Sequence, residues 1–213
     1  VQKAVNPAER VYYPVADNKE PIVAIGTDKE VDDPSIEVYF KQDATPDSEK
    51  NNVGYLASQY MTSMITSMLN ARLSELTQSA NPPFTRAYSS YGNFFVAKTK
   101  EALNLSASSK ADGIEKALKV LLQEAERARR FGFTESEYAR ARANYLQRLE
   151  SAYNEREKTK HGSYVREYVR NFLDAEPIPG IETEYAMMNQ LAPNLPVQAI
   201  NMAIQQLVPD SNQ

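Results

Sequence analysis

With 213 residues, 42% of them apolar and 24% charged, the chain is long enough to bury one sizeable core and too apolar for a disordered segment. Its net charge of −4, with Lys and Arg dispersed among Asp and Glu, argues against a nucleic-acid partner, which calls for a concentrated basic face. No apolar run approaches the roughly 20 residues of a membrane helix, and the absence of cysteine removes disulfide frameworks, thiolate zinc sites and thiol nucleophiles together.

The chain begins at Val1 without a basic-then-apolar leader and reads as a fragment or processed piece of something longer. Its first 50 residues read as strands. Arg10 to Val15 is a short candidate, Ile22 to Asp28 is a β-rich run after Pro21, and Ser35 to Lys41 alternates, with Ile36, Val38 and Phe40 on one face. Asp32-Asp33-Pro34 supplies turn chemistry between the last two. From Val53, Leu56, Tyr60, Met61, Met64, Ile65, Met68, Leu69, Leu73 and Leu76 keep helical spacing. That methionine-rich stripe fits an adaptable groove or, on balance, the cover of a sheet.

Asn81-Pro82-Pro83 breaks this helix, and Phe84 to Ser109 reads as two or three antiparallel strands with a turn or bulge at Gly92-Asn93. A second helix opens at Asp112 and stops at Gly132, carrying Arg127, Arg129 and Arg130 where cations complement the dipole. Thr134 and Glu137 form a capping box, with Phe133 and Tyr138 placed for a hydrophobic staple, so a third helix starts there and is ended or kinked by Gly162. A fourth carries Val165, Val169, Phe172 and Leu173. Two short helices follow, Ile181 to Leu191 and Leu195 to Val208. Hairpin strands followed by grouped helices define an α+β sandwich. One domain spans 1–213, its helical segment 181–208 placed to lead to a next domain.

The chemistry is defined by what is missing. His161 is the sole histidine, whereas a hydrolytic zinc takes two or three imidazoles and a Ser–His triad needs a histidine in a structured site. His161 sits beside Gly162 in a charged run and reads as a solvated helix residue, with Glu157 four positions before it able to share a face. Asp32-Asp33, and Asp43 with Asp47, lie in turn-like segments where Asp caps the backbone, so a carboxylate-only enzyme finds no pair to nominate. With seven glycines and no phosphate-cradling loop, nucleotide binding is unsupported. The cluster Arg86, Tyr88, Tyr91, Phe94 and Phe95 is the best candidate for contact with an extended peptide, and Arg86, Tyr88 and Tyr91 are the candidate substrate-binding residues. Aromatic residues packed in the core and at its rim account for the same cluster.

Five stretches, in order, resemble the insulinase/pitrilysin-type zinc metallopeptidases of bacteria: Leu69 to Leu76, Asn81 to Phe84, Glu124 and Arg127 with Gly132 to Tyr138, Leu149 to Arg156, and Phe172-Leu173 with Pro177 to Glu182. The resemblance runs from about Arg10 to Asn201. It implies a two-layer α/β sandwich with an antiparallel-rich sheet covered by helices, a clamshell domain of the LuxS/mitochondrial processing peptidase-like kind. It also implies a parent whose zinc, in another domain, activates water with a motif glutamate as base. The H-x-x-E-H motif has no match here, so no catalytic or metal residue is carried over, and this segment holds no cofactor of its own. Its implied role is that of a non-catalytic scaffold and substrate-chamber domain of an endopeptidase for peptides or unfolded proteins. The partners are then the other domains of the same peptidase, unstructured peptide substrate and a second copy in a homodimer. The alternative within the family is a catalytically silent structural or assembly subunit. A cysteine-free chain suits the cytoplasm or the periplasm, and together with the bacterial look of these motifs the resemblance implies the periplasm.

Overall fold

The computed structural model describes Asn6, Ala8, residues 11–31 and residues 33–213. Among these, β1 (Ser35–Asp43) is followed by α1 (Val53–Thr77), β2 (Arg86–Asn93) and β3 (Lys100–Ser108). Five more helices complete the chain: α2 (Ile114–Phe131), α3 (Glu135–Asn154), α4 (His161–Asp174), α5 (Ile181–Asn194) and α6 (Val197–Leu207). The sheet has the order β1-β3-β2 and both pairings are antiparallel. Leu103 at its centre faces Phe40 on one side and Tyr91 on the other. This is the α+β sandwich expected from the order of elements.

Alternation decides which face is covered. Ile36, Val38 and Phe40 of β1 share a face with Leu103, Leu105 and Ala107 of β3, and all pack in the core beneath α1 and α2. Helix α1 starts where the Asn52 side chain accepts a hydrogen bond from the Tyr55 N–H at 2.9 Å. Its apolar stripe is core: Met64 and Ile65 are fully buried, with Met68, Leu69 and Leu73 beside them. The methionines therefore fill space against the sheet. Helix α6 closes the other end of this core with Ile200 and Ile204. Truncating a central side chain such as Leu103 to Ala would cost about 3 kcal/mol, from lost burial and the cavity left behind.

The structure corrects four local expectations. The run Ile22 to Asp28 is not a strand: no strand of the described residues lies beside it, and Ile22, Val23 and Ile25 are exposed. β-propensity reports fit to a neighbouring pleated surface, and none is present. Of the candidate strand Arg10 to Val15, Arg10 lies outside the described residues, as does Asp32 of the Asp32-Asp33 turn. Residues 11–15 pair with no strand, and the Val15 N–H meets only the Thr99 hydroxyl.

The turn between β2 and β3 lies at Phe94 to Thr99 rather than at Gly92-Asn93, and Phe95 takes it with a positive φ of 53°. Finally, α3 ends at Asn154 and not near Gly162. Arg156 donates to the Tyr153 carbonyl at 2.9 Å and to Glu182 of α5 at 3.2 Å, which holds the chain in a turn. His161 and Gly162 then open α4, and Glu157 belongs to the intervening 3-10 turn, so it shares no helix with His161.

Helix α4 buries none of its residues. Tyr164, Val165, Tyr168 and Val169 lie on one face at helical spacing and all are exposed, Tyr168 at 61%. Only its end is tied down. Lys50 donates to the Asp174 carbonyl at 2.6 Å, and the Tyr55 hydroxyl donates to Glu176 just beyond the helix at 2.6 Å.

Candidate functional site

The nominated residues Arg86, Tyr88 and Tyr91 all lie on β2, an edge strand, but not on one face. Arg86 and Tyr88 are two apart and point away from the helices, both exposed. Tyr91 faces the helix layer, where it packs on the core and donates its hydroxyl to Glu101 at 2.8 Å. Burial, then the Glu101 charge, pushes the Tyr91 phenol up, so it stays a neutral donor.

The sheet face shared by Arg86 and Tyr88 carries further aromatic residues. Tyr39 of β1 meets Phe94 edge-on with ring centroids 5.4 Å apart, and Phe95 lies 5.0 Å from Tyr39. The Tyr39 hydroxyl bonds Glu37, and burial followed by that bond pushes its phenol up to about 12. Phe95 and Val96 project from the tip of the turn, Val96 at 95% exposure. Sequence reading placed Phe94 and Phe95 in the cluster and missed Tyr39 and Val96. An apolar pair set in a turn was the available signal for the tip. Tyr39 was hidden because its strand lies some fifty residues before its ring partners. At the same end of the sheet the buried Lys100 ammonium joins Asp17 and Asp43, each at 2.6 Å.

A second constellation joins two of the stretches singled out above. Arg72, at the centre of Leu69 to Leu76, reaches Glu137 of the capping box with Nε 2.6 Å and Nη2 3.0 Å from its carboxylate oxygens. The same guanidinium donates to the Gly132 carbonyl at 2.9 Å and lies over the Phe133 ring. Glu137 also accepts from the Thr134 N–H, completing the box. The Arg72 bond, aided by Thr134, holds the Glu137 carboxyl down at about 2. From the opposite side, the Asn201 side-chain amide brackets Phe133, accepting from its N–H at 2.7 Å and donating to its carbonyl at 3.1 Å. Gly132 takes φ +68° there, and a Cβ would overlap the Asn201 amide. This is a structural clasp: side chains of α1, α3 and α6 grip the α2–α3 corner.

Nothing in the described residues resembles a metal centre. No group of three or more His, Cys, Asp or Glu side chains could hold an ion, and the sequence offers one imidazole and no thiolate. A hydrolytic zinc takes three protein ligands, so the chain's own residues do not fit one.

The fold is thus an antiparallel sheet packed under a helical layer. The chain belongs to the peptidase M16 inactive domain family, whose profile matches residues 2–145. It is 26% identical over 189 residues to a protein described as a zinc protease PQQL-like from Arabidopsis thaliana, an alignment covering 89% of this chain and 16% of that one. Its fold matches the crystal structure of the periplasmic protease PqqL from Escherichia coli with a TM-score of 0.75 at 20% identity, over 86% of this chain and 20% of that one. It also matches a mutant of the ferredoxin protease FusC, crystallised in complex with Arabidopsis ferredoxin, with a TM-score of 0.63 at 14% identity, over 86% of this chain and 20% of that one. The chain thus spans about a fifth of the length of these relatives. No helix among the described residues is long and apolar enough to cross a membrane.

Proposed function

We propose that the chain is a non-catalytic scaffold and substrate-chamber domain of a zinc-dependent metalloendopeptidase acting on peptides or unfolded proteins in the periplasm. The observation that carries this reading is the match of residues 2–145 to the peptidase M16 inactive domain in a chain whose ligand inventory cannot assemble a hydrolytic zinc. In such a protein the metal and its water work in another domain. This one contributes enclosure, and contacts to substrate through the open sheet face, with Arg86 and Tyr88 exposed and Tyr91 supporting β2 from behind. The names of the similar proteins support a proteolytic parent, and the compartment of PqqL supports the periplasm. The other domains of the same peptidase are its first partners, a second copy a further one.

The test is peptidase activity on a quenched, unstructured peptide, measured for this purified chain and for the longer product of its gene. Each is assayed with added zinc and with a chelator. The chain alone is silent under every condition, while the longer product cleaves and stops when chelated. Chelator-sensitive cleavage by the chain alone that survives repurification would sink the reading, as would a longer product that never cleaves.

A further inference from the structure

Helix α2 turns its two faces to different surroundings. Inward, Ala117, Leu121, Ala125 and Ala128 pack in the core. Outward, a shallow furrow runs along the helix, and among the described residues its walls belong to α2 alone. Two rows of side chains at four-residue spacing form those walls. One row runs Ile114, Leu118, Leu122, Glu126, Arg130, and its neighbour runs Glu115, Lys119, Gln123, Arg127, Phe131. The apolar members are exposed, Phe131 at 80%. The side chains of Glu115 and Lys119 make no hydrogen bond or ion pair among the described residues. Arg130 meets Glu126 through its Nε, which leaves both terminal nitrogens for a further acceptor.

The two rows complement each other when they are read in opposite directions. Ile114 then meets Phe131, Glu115 meets Arg130, Leu118 meets the aliphatic stem of Arg127, and Lys119 meets Glu126. Leu122 meets Gln123 at the centre. A two-fold axis through that centre, perpendicular to the helix, makes this exchange, because it lays the first row of one copy on the second row of the other. Other arrangements bring like charges together. Parallel helices about a two-fold set each residue against itself, Glu115 on Glu115 and Lys119 on Lys119. Sliding the antiparallel pair by one turn sets Glu115 against Glu126 in one direction and Lys119 against Arg130 in the other.

We propose that the outer face of α2 docks against the same face of a second copy, in an antiparallel two-fold dimer centred between Leu122 and Gln123. The apolar contacts supply the affinity. The Glu115–Arg130 and Lys119–Glu126 pairs, each made twice, fix orientation and register. Two helix faces of this length bury roughly 1,000 Å² in all, at the low end for specific interfaces, so the association is weak and reversible. This surface lies on the helical side of the molecule, away from the sheet face that carries Arg86 and Tyr88. The dimer does not depend on whether the parent cleaves peptides.

Sedimentation equilibrium of this chain and of the longer product of its gene tests the proposal, over roughly 1 to 300 μM. Both show a reversible monomer–dimer equilibrium with a dissociation constant on the order of 10 to 100 μM. Glu115→Lys and Arg130→Glu, both at exposed positions, each set like charges against one another twice and weaken the dimer by about tenfold or more. Mixed in equal amounts, the two variants restore it to within about threefold of the parent, because each then offers the charge the other needs. A chain that stays monomeric throughout the range overturns the proposal. So does a single variant that dimerises as the parent does, or a mixture that stays apart. Dimers of the short chain beside a monomeric longer product would mean that another domain covers α2, and they overturn it too.

Discussion

Arg72 illustrates how much one side chain holds together. Its guanidinium serves the Glu137 carboxylate and the Gly132 carbonyl while buried, so its removal leaves an ionised carboxylate and a carbonyl without their partner. Arg72→Ala is expected to cost about 3 kcal/mol, read from denaturant unfolding. The same pair sets a pH dependence. Glu137 has its folded pKa depressed to about 2 from an ordinary 4.5. Its contribution is therefore complete above the ordinary value and is lost as pH falls from about 4.5 towards 2, on the order of 3 kcal/mol in all. Glu137→Gln flattens the acid limb of the stability curve in that window; an unchanged limb refutes the assignment. A second pair at the same corner is coupled sterically. Gly132→Ala collides with the Asn201 amide and strains a positive φ. In an Asn201→Ala background only the backbone term, about 2 to 3 kcal/mol, remains, so a double-mutant cycle should show strong non-additivity. The capping box itself was legible, since Thr134 and Glu137 are three apart. Its attachment to Arg72, 65 residues away, was not, because spacing carries no information about which helices meet.

Among the elements, α1 and α4 present the same sequence pattern and opposite fates. Both have apolar residues at helical spacing, and periodicity found both. What periodicity cannot report is whether another element covers the apolar face. For α1 the sheet does so, and for α4 nothing among the described residues buries Tyr164, Val165, Tyr168 or Val169. The strands failed in the complementary sense: Ile22 to Asp28 has strand composition and no strand beside it among the described residues, whereas β1 has both. Local stability should follow this division. Amides of α4 ahead of Asn171 are expected to exchange much faster than those in the middle of α1, with protection confined to the end tied to Lys50 and Tyr55. Tyr168→Ser should change the stability of this chain by no more than about 0.5 kcal/mol, because the ring is already in water. Uniform protection along α4, or a large loss on this substitution, would show that the face is covered.

At the scale of the whole molecule, the α+β class was readable from the order of elements. The distribution of surfaces was not: one sheet face is packed under helices and the other displays Arg86, Tyr88, Tyr39 and the Phe95–Val96 tip. That asymmetry gives the chamber-wall reading its kinetic consequence. Groups that hold a polypeptide at a distance from the reacting bond stabilise bound substrate and transition state alike, so their loss appears in KM and leaves kcat intact. In the longer protein, Arg86→Ala with Tyr88→Ala should raise KM for an unstructured peptide by roughly 3- to 10-fold at constant kcat. Tyr91→Phe, which removes only the hydroxyl that bonds Glu101, should leave KM unchanged and lower stability by about 1 kcal/mol. A fall in kcat without a change in KM would place β2 beside the reacting bond and contradict a domain that only encloses its substrate. No effect on either constant would instead move the substrate path off this sheet face, leaving the aromatic cluster a purely structural rim.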